Sequence, residues 1–250
     1  MRQSKISRRS FLLGLGFLSS AAVLTACGGG SASSSEPASS SQPEEPASSA
    51  SSEVPAAPIL SVDEFPVTDG STACIPLIAQ VMADTTGIDL ETAQSCVTTN
   101  TTAWAWRNLG LYGDNENGTK LIIAYEAPDS VKEELAADGA PLDQKALGRD
   151  ALVFIVNEAE YNNSANAIGF SVYYYISEMY SKPGLRLLAV DGVTPSNHTI
   201  ADQSYPLCNE FYAAIRQDSA ADSPERKVYD WLSTDAGRAC VEQSGYVAAQ

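Results

Sequence analysis

Residues 69–82, Asp69-Gly70-Ser71-Thr72-Ala73-Cys74-Ile75-Pro76-Leu77-Ile78-Ala79-Gln80-Val81-Met82, decide how the rest of the chain is read. Ile75, Ile78 and Met82 recur at spacings of three and four, which predicts an amphipathic helix opened by a glycine turn and two hydroxyl residues. Such a start leaves its first backbone amides without intrahelical partners, and the helix dipole adds partial positive charge there. With the hydroxyls of Ser71 and Thr72 these amides make a ready anion site, while an ordinary N-cap is the alternative use of the same residues. Pro76 requires the helix to begin near Thr72, because proline is harmless only in a first turn.

Outward from this stretch the chain alternates. Phe65-Pro66-Val67 reads as a strand, so strand, glycine turn and helix open an α/β domain. A second helix is expected over Leu90–Cys96. The polar run Val97-Thr98-Thr99-Asn100-Thr101-Thr102 then opens a third, through Ala103-Trp104-Ala105-Trp106-Arg107-Asn108-Leu109. Asn100 and Thr102 thus stand at a second donor-rich helix start, for which a cap or solvated loop is the alternative.

Leu121–Tyr125 is a short buried-type strand followed by a helix over Ser130–Ala137. Glu126 falls at the strand's carboxyl end, where open α/β sheets place their ligands. A carboxylate there can accept a proton from a protonated oxyanion, which sulfate at neutral pH does not offer. Alternatively Glu126 is an acid favoured by the dipole of the next helix. Ala151–Val156 and Leu187–Val190 read as apolar strands, Ile168–Ser171 and Tyr205–Leu207 as shorter ones. Glu225–Gly237 reads as one helix carrying Val228, Trp231 and Leu232 inward, and Tyr173-Tyr174-Tyr175 with Tyr180 as a packing patch.

The first sixty or so residues do not read as foldable. Arg2, Lys5, Arg8 and Arg9 precede the apolar run Phe11–Leu18, and Ala21–Cys27 completes the three parts of an export signal over residues 1–26. Ser7-Arg8-Arg9-Ser10-Phe11-Leu12 resembles the twin-arginine motif, with a general secretory signal as the alternative route. Leu24-Thr25-Ala26-Cys27 resembles a lipobox, whose Cys27 is acylated after cleavage. Residues 27–60, rich in Ser, Ala, Glu and Pro, read as a flexible tether with a reach of roughly 30 Å.

The formal net charge is −16 for the whole chain and about −20 once the leader is removed. Such a surface repels nucleic acid and anionic headgroups, yet it does not exclude a small anion held by local amide and hydroxyl donors. Beyond Cys27 stand Cys74, Cys96, Cys208 and Cys240, which an exported chain can oxidise in any of three pairings. Cys74 with Cys96 and Cys208 with Cys240 is the favoured one. No Cys-X-X-Cys or His-Cys cluster points to a metal, and no cofactor is implied. A hydrolase would have to use His198, the single histidine, in the polar loop Ser196-Asn197-His198-Thr199, with no Gly-X-Ser-X-Gly elbow beside it.

Taken in order, several segments resemble the phosphate-binding receptors of bacterial phosphate ABC transporters, the PstS-like branch of the type II periplasmic binding proteins. They are Asp69-Gly70-Ser71-Thr72 with its helix, Tyr125-Glu126-Ala127-Pro128, Asp150–Asn157, Ala167-Ile168-Gly169-Phe170-Ser171 and Leu188–Val193. Tyr205-Pro206-Leu207, Trp231-Leu232 and Gly245-Tyr246-Val247 complete the set. The resemblance implies an α/β fold with a largely complete first lobe (residues 61–157 and 203–250) and a strongly shortened second lobe (158–202). It implies an oxyanion held by Ser71, Thr72, Asn100 and Thr102, with Glu126 accepting the phosphate proton. The family's Ser-Gly-Ser segment and its arginine are missing from the second lobe, leaving Arg107 or Arg186 as substitutes.

The expected protein is therefore not an enzyme. It is an extracytoplasmic solute-binding protein, anchored to the membrane by Cys27, that takes inorganic phosphate and serves an ABC permease. The alternative is a non-transporting surface lipoprotein, or an incomplete family member, that has lost its ligand.

Overall fold

The computed structural model describes residues 57–115, 118–157 and 168–249. The leader, Cys27, most of the tether and residues 158–167 of the expected second lobe lie outside the described residues. One mixed sheet organises the described chain, in the order β1 (Thr68–Gly70), β2 (Leu121–Tyr125), β6 (Cys208–Arg216), β3 (Leu142–Asn157) and β4 (Gly169–Val172). β5 (Leu185–Leu187) and β7 (Val247–Ala248) also pair with β3. β1 and β2 are parallel and the other pairs antiparallel.

The helices are α1 (Ile75–Thr86), α2 (Leu90–Cys96), α3 (Thr102–Gly110), α4 (Asp129–Asp138), α5 (Asn197–Ala201), α6 (Pro224–Trp231) and α7 (Asp235–Gln243). β2 is covered on both faces, which is why it reads as an unbroken apolar run. Leu121 and Ile123 face Leu77, Ile78 and Val81 of α1, with Phe211, Val228, Leu232 and Val241 in the same core. Ile122 and Ala124 face Ala105, Trp106 and Leu109 of α3 and Val131 of α4. A separate core forms around Ala151, Val153, Ile176, Ile200 and Tyr205.

β3 joins these regions. Its first part, Leu142–Ala151, pairs with β6, and its end, from Leu152, pairs with β4 and β5. The sequence reading found only the apolar end. The earlier half carries Asp143 and Lys145, which bond to α6 and the turn after it through Arg226 at 2.9 Å and Ser233 Oγ at 2.5 Å, so its pairing has no apolar signature. β6 went unread, although Phe211, Ala213 and Ile215 alternate onto one core face.

Tyr205–Leu207 is not a strand; it leads into β6. The expected helix over Glu225–Gly237 is two helices, because Thr234 Oγ1 accepts from the amide of Gly237 at 3.2 Å and starts α7 afresh. The strand at the start of the domain is Thr68–Gly70 rather than Phe65–Val67. Among the described residues no helix is long and apolar enough to cross a membrane.

All four described cysteines are free, which corrects both expected disulfides. Cys74 is buried at the head of α1, while Cys96 is exposed at the end of α2. Cys240 lies in the core under α1, whereas Cys208 packs against the separate core around Ile200, its thiol 3.1 Å from the Tyr205 carbonyl. Burial pushes the Cys74 and Cys240 thiols well above their usual range.

Candidate functional site: two helix starts joined by hydroxyls

β1 delivers the first helix start. Gly70 pairs with Ile123, and a Cβ there would lie 2.2 Å from the Ile123 carbonyl oxygen, so only glycine permits this approach. The chain then turns through a 3-10 segment, Thr72–Cys74, before α1, and Pro76 falls in the first turn of α1, where its missing amide leaves no bond unmade. Neither the 3-10 turn nor α3 has a side-chain hydrogen bond capping it, although Ser71 and Thr101 occupy the cap positions.

The two starts meet. Ser71 Oγ and Thr102 Oγ1 are 2.7 Å apart, and the amide of Tyr125 donates to Ser71 Oγ at 3.0 Å. Ser71 is buried, Thr102 is partly buried and Thr72 is exposed at the helix head. Two hydroxyls sharing one hydrogen bond hold two protons, and the shared bond uses one. The other remains for a ligand oxygen, together with the leading amides of the two helices. In the loop before α3, Thr99 Oγ1 is buried without a hydrogen-bond partner among the described residues.

Asp69 braces this junction from behind. Its buried carboxylate accepts from the amides of Gly70 (2.7 Å) and Asn100 (2.8 Å) and from the side chains of Asn100 (2.7 Å) and Asn108 (2.9 Å). These four donors match the lone-pair capacity of a carboxylate. Asn100 is therefore partly a strut: its backbone amide and one N–H of its side chain are given to Asp69, while the second side-chain N–H of this exposed residue stays uncommitted. Asp69 itself went unnoticed as a site residue; a carboxylate immediately before a Gly-Ser-Thr turn was the available signal.

Glu126, next after the Tyr125 whose amide donates to Ser71, is engaged by a lysine. Its carboxylate is 62% exposed and bonds to Lys132 of α4 at 2.6 Å. It borders a 350 Å³ cavity with Trp106, Leu135, Leu142 and Tyr212 on the flank of the sheet. The reason is local: α4 begins immediately after Pro128 and presents Lys132 within reach. Arg107 does not replace a missing arginine either, since it forms a two-point pair with Glu134 at 2.6 and 2.7 Å, while Arg186 sits on β5. His198 is 86% exposed, with Asp202 at 3.5 Å, and the neighbouring hydroxyls of Ser196 and Thr199 are bonded to each other in the cap of α5.

No family model matches the chain, and no curated protein matches it. Solved structures do. A putative phosphate ABC transporter substrate-binding protein with bound phosphate, from Clostridium perfringens, matches at a TM-score of 0.51 and 11% identity, over 73% of this chain and 98% of that one. An ABC-type phosphate transport receptor from Vibrio cholerae matches at 0.51 and 12%, over 72% and 98%. A possible phosphate binding protein from Planctomyces limnophilus matches at 0.47 and 16%, over 73% and 92%. The first two establish the fold of this chain as the α/β fold of the type II periplasmic binding proteins.

Proposed function

We propose that this chain is a solute-binding protein for a tetrahedral oxyanion, inorganic phosphate, exported, held to the membrane by an acylated Cys27, and working with an ABC permease. The observation that carries the reading is the 2.7 Å contact between Ser71 and Thr102, which joins two helix starts that lack side-chain caps. On this reading the dipoles, the leading amides and the spare hydroxyl proton of the two starts serve one oxyanion, in a chain whose overall charge opposes anions. Phosphate is favoured among oxyanions because one of the two structures sharing the fold at TM-score 0.51 was solved with phosphate bound. In this reading residues 61–157 and 203–250 form the first lobe and 158–202 the second, with Ser71, Thr72, Thr102 and the spare side-chain N–H of Asn100 as the contacts and Glu126 reaching the ligand only by leaving Lys132.

A second reading, a surface lipoprotein that no longer binds, draws on the commitment of Asn100 to Asp69 and of Glu126 to Lys132. Calorimetric titration of the tether-free protein with phosphate, with sulfate as control, decides between them. Micromolar or tighter binding supports the receptor; neither heat nor a thermal shift at millimolar phosphate overturns it. The anchor is tested separately by labelling with a radioactive fatty acid, which Cys27→Ser is expected to abolish.

A further inference from the structure

Asp150 is a buried carboxylate that touches no expected ligand, yet it is wired to the candidate site. It stands next to the point where β3 leaves β6 for β4, and it is 2% exposed. Its Oδ2 accepts from the Tyr125 phenol at 2.6 Å, and its Oδ1 accepts from the amides of Ala151 at 2.7 Å and Tyr174 at 3.0 Å. No lysine or arginine pairs with it among the described residues. A buried carboxylate without a cation is costly to desolvate, and three directed donors offset part of that cost.

Followed in both directions, the bonds close on themselves. From Tyr125 the amide donates to Ser71 Oγ, which meets Thr102. From Tyr174 the ring stacks on Tyr246, centroids 3.7 Å apart and planes 12° apart, and the Tyr246 phenol donates to the carbonyl of Ala73, two residues beyond Ser71. The head of α1 is thus gripped from both sides by one circuit that runs through Asp150. A short charge-assisted bond to the phenol fixes the last residue of β2, and that residue's amide aims the Ser71 hydroxyl.

We propose that Asp150 is a positioning residue of the oxyanion site, acting through Tyr125, and that the circuit couples the Ser71–Thr102 junction to the segment at Tyr174. The affinity part rests on the oxyanion reading above; the coupling part does not.

Tyr125→Phe removes the phenol bond while keeping the amide that donates to Ser71. It is expected to weaken phosphate about fivefold, within the range of ordinary coupling between linked groups, with the circular dichroism spectrum unchanged. In phosphate-free protein, Ser71→Ala is expected to speed amide exchange at Tyr174 several-fold while leaving the α7 amides unaltered, a selectivity that general destabilisation would not produce. If the unmutated protein binds phosphate and Tyr125→Phe binds it equally well, the positioning role is overturned. If the unmutated protein binds none, the oxyanion reading fails by itself, and exchange at Tyr174 decides the circuit: an unchanged rate in Ser71→Ala overturns it.

Discussion

Helix starts in this molecule fall into two groups. α2, α5, α6 and α7 close their first turns with their own side chains: Asp89 to Thr92, Ser196 to Thr199, Ser223 to Arg226 and Thr234 to Gly237. The 3-10 turn before α1, and α3 itself, do not, although serine and threonine stand at their cap positions. The hydroxyl of Ser71 is turned away from its own helix toward Thr102, as a cap would not be. Capping residues are therefore used for stability on one set of helices and withheld on the pair that meets at the candidate site. α4 also lacks a side-chain cap, but there the cap residue is Pro128, which has no side-chain acceptor to offer.

The comparison can be broken at several points. The largest effect is expected from Asp69→Ala, which removes the acceptor of four hydrogen bonds behind the uncapped pair; urea unfolding should show a loss of about 3 kcal/mol, the scale of losing several hydrogen bonds to a buried charge. Saturating phosphate, at a hundred times its dissociation constant, should raise stability by about 2.7 kcal/mol through binding to the folded state alone. Ser223→Ala, in the capped group, should cost about 1 kcal/mol in stability and leave phosphate affinity as it was. Thr101→Asp sharpens the contrast by giving α3 the cap it lacks: stability should rise by about 0.5 kcal/mol while calorimetry finds phosphate binding lost, because the new carboxylate occupies the anion's place.

A smaller effect should appear with pH. Burial holds the Asp150 carboxyl above the ordinary carboxylate range, against the pull of its Tyr125, Tyr174 and Ala151 donors; the Cys74 thiol and the phenols of Tyr125, Tyr174 and Tyr246, whose own values burial raises, stay neutral throughout. The folded state thus favours the protonated carboxyl. Its contribution is fully present below the unfolded-state value and is lost as pH rises through the folded-state value. Acidification from neutral should therefore raise the melting temperature of the natural protein relative to that of Asp150→Asn. A constant difference across that range would show that Asp150 titrates as it does unfolded.

Much of this was legible in the chain. The helices over 75–86, 90–96, 102–110 and 129–138, the strand at 121–125 and the two hydroxyl-bearing helix starts follow from periodicity, caps and short apolar runs, all signals carried within about a dozen residues. The export leader and Cys27 are also readings of local pattern, and lie outside the described residues. What the sequence could not decide is which groups face one another. Ser71 meets a residue 31 positions away, Asn100 turns 31 positions back to Asp69, and Glu126 takes a lysine on the next helix instead of joining either. Four cysteines allow three pairings on the sequence alone, but packing assigns Cys208 and Cys240 to different cores. A hydrogen bond between distant residues depends on how β1, β2 and α3 are stacked, and no spacing along the chain encodes that stacking; the local pattern supplied the donors, and the tertiary fold chose their partners.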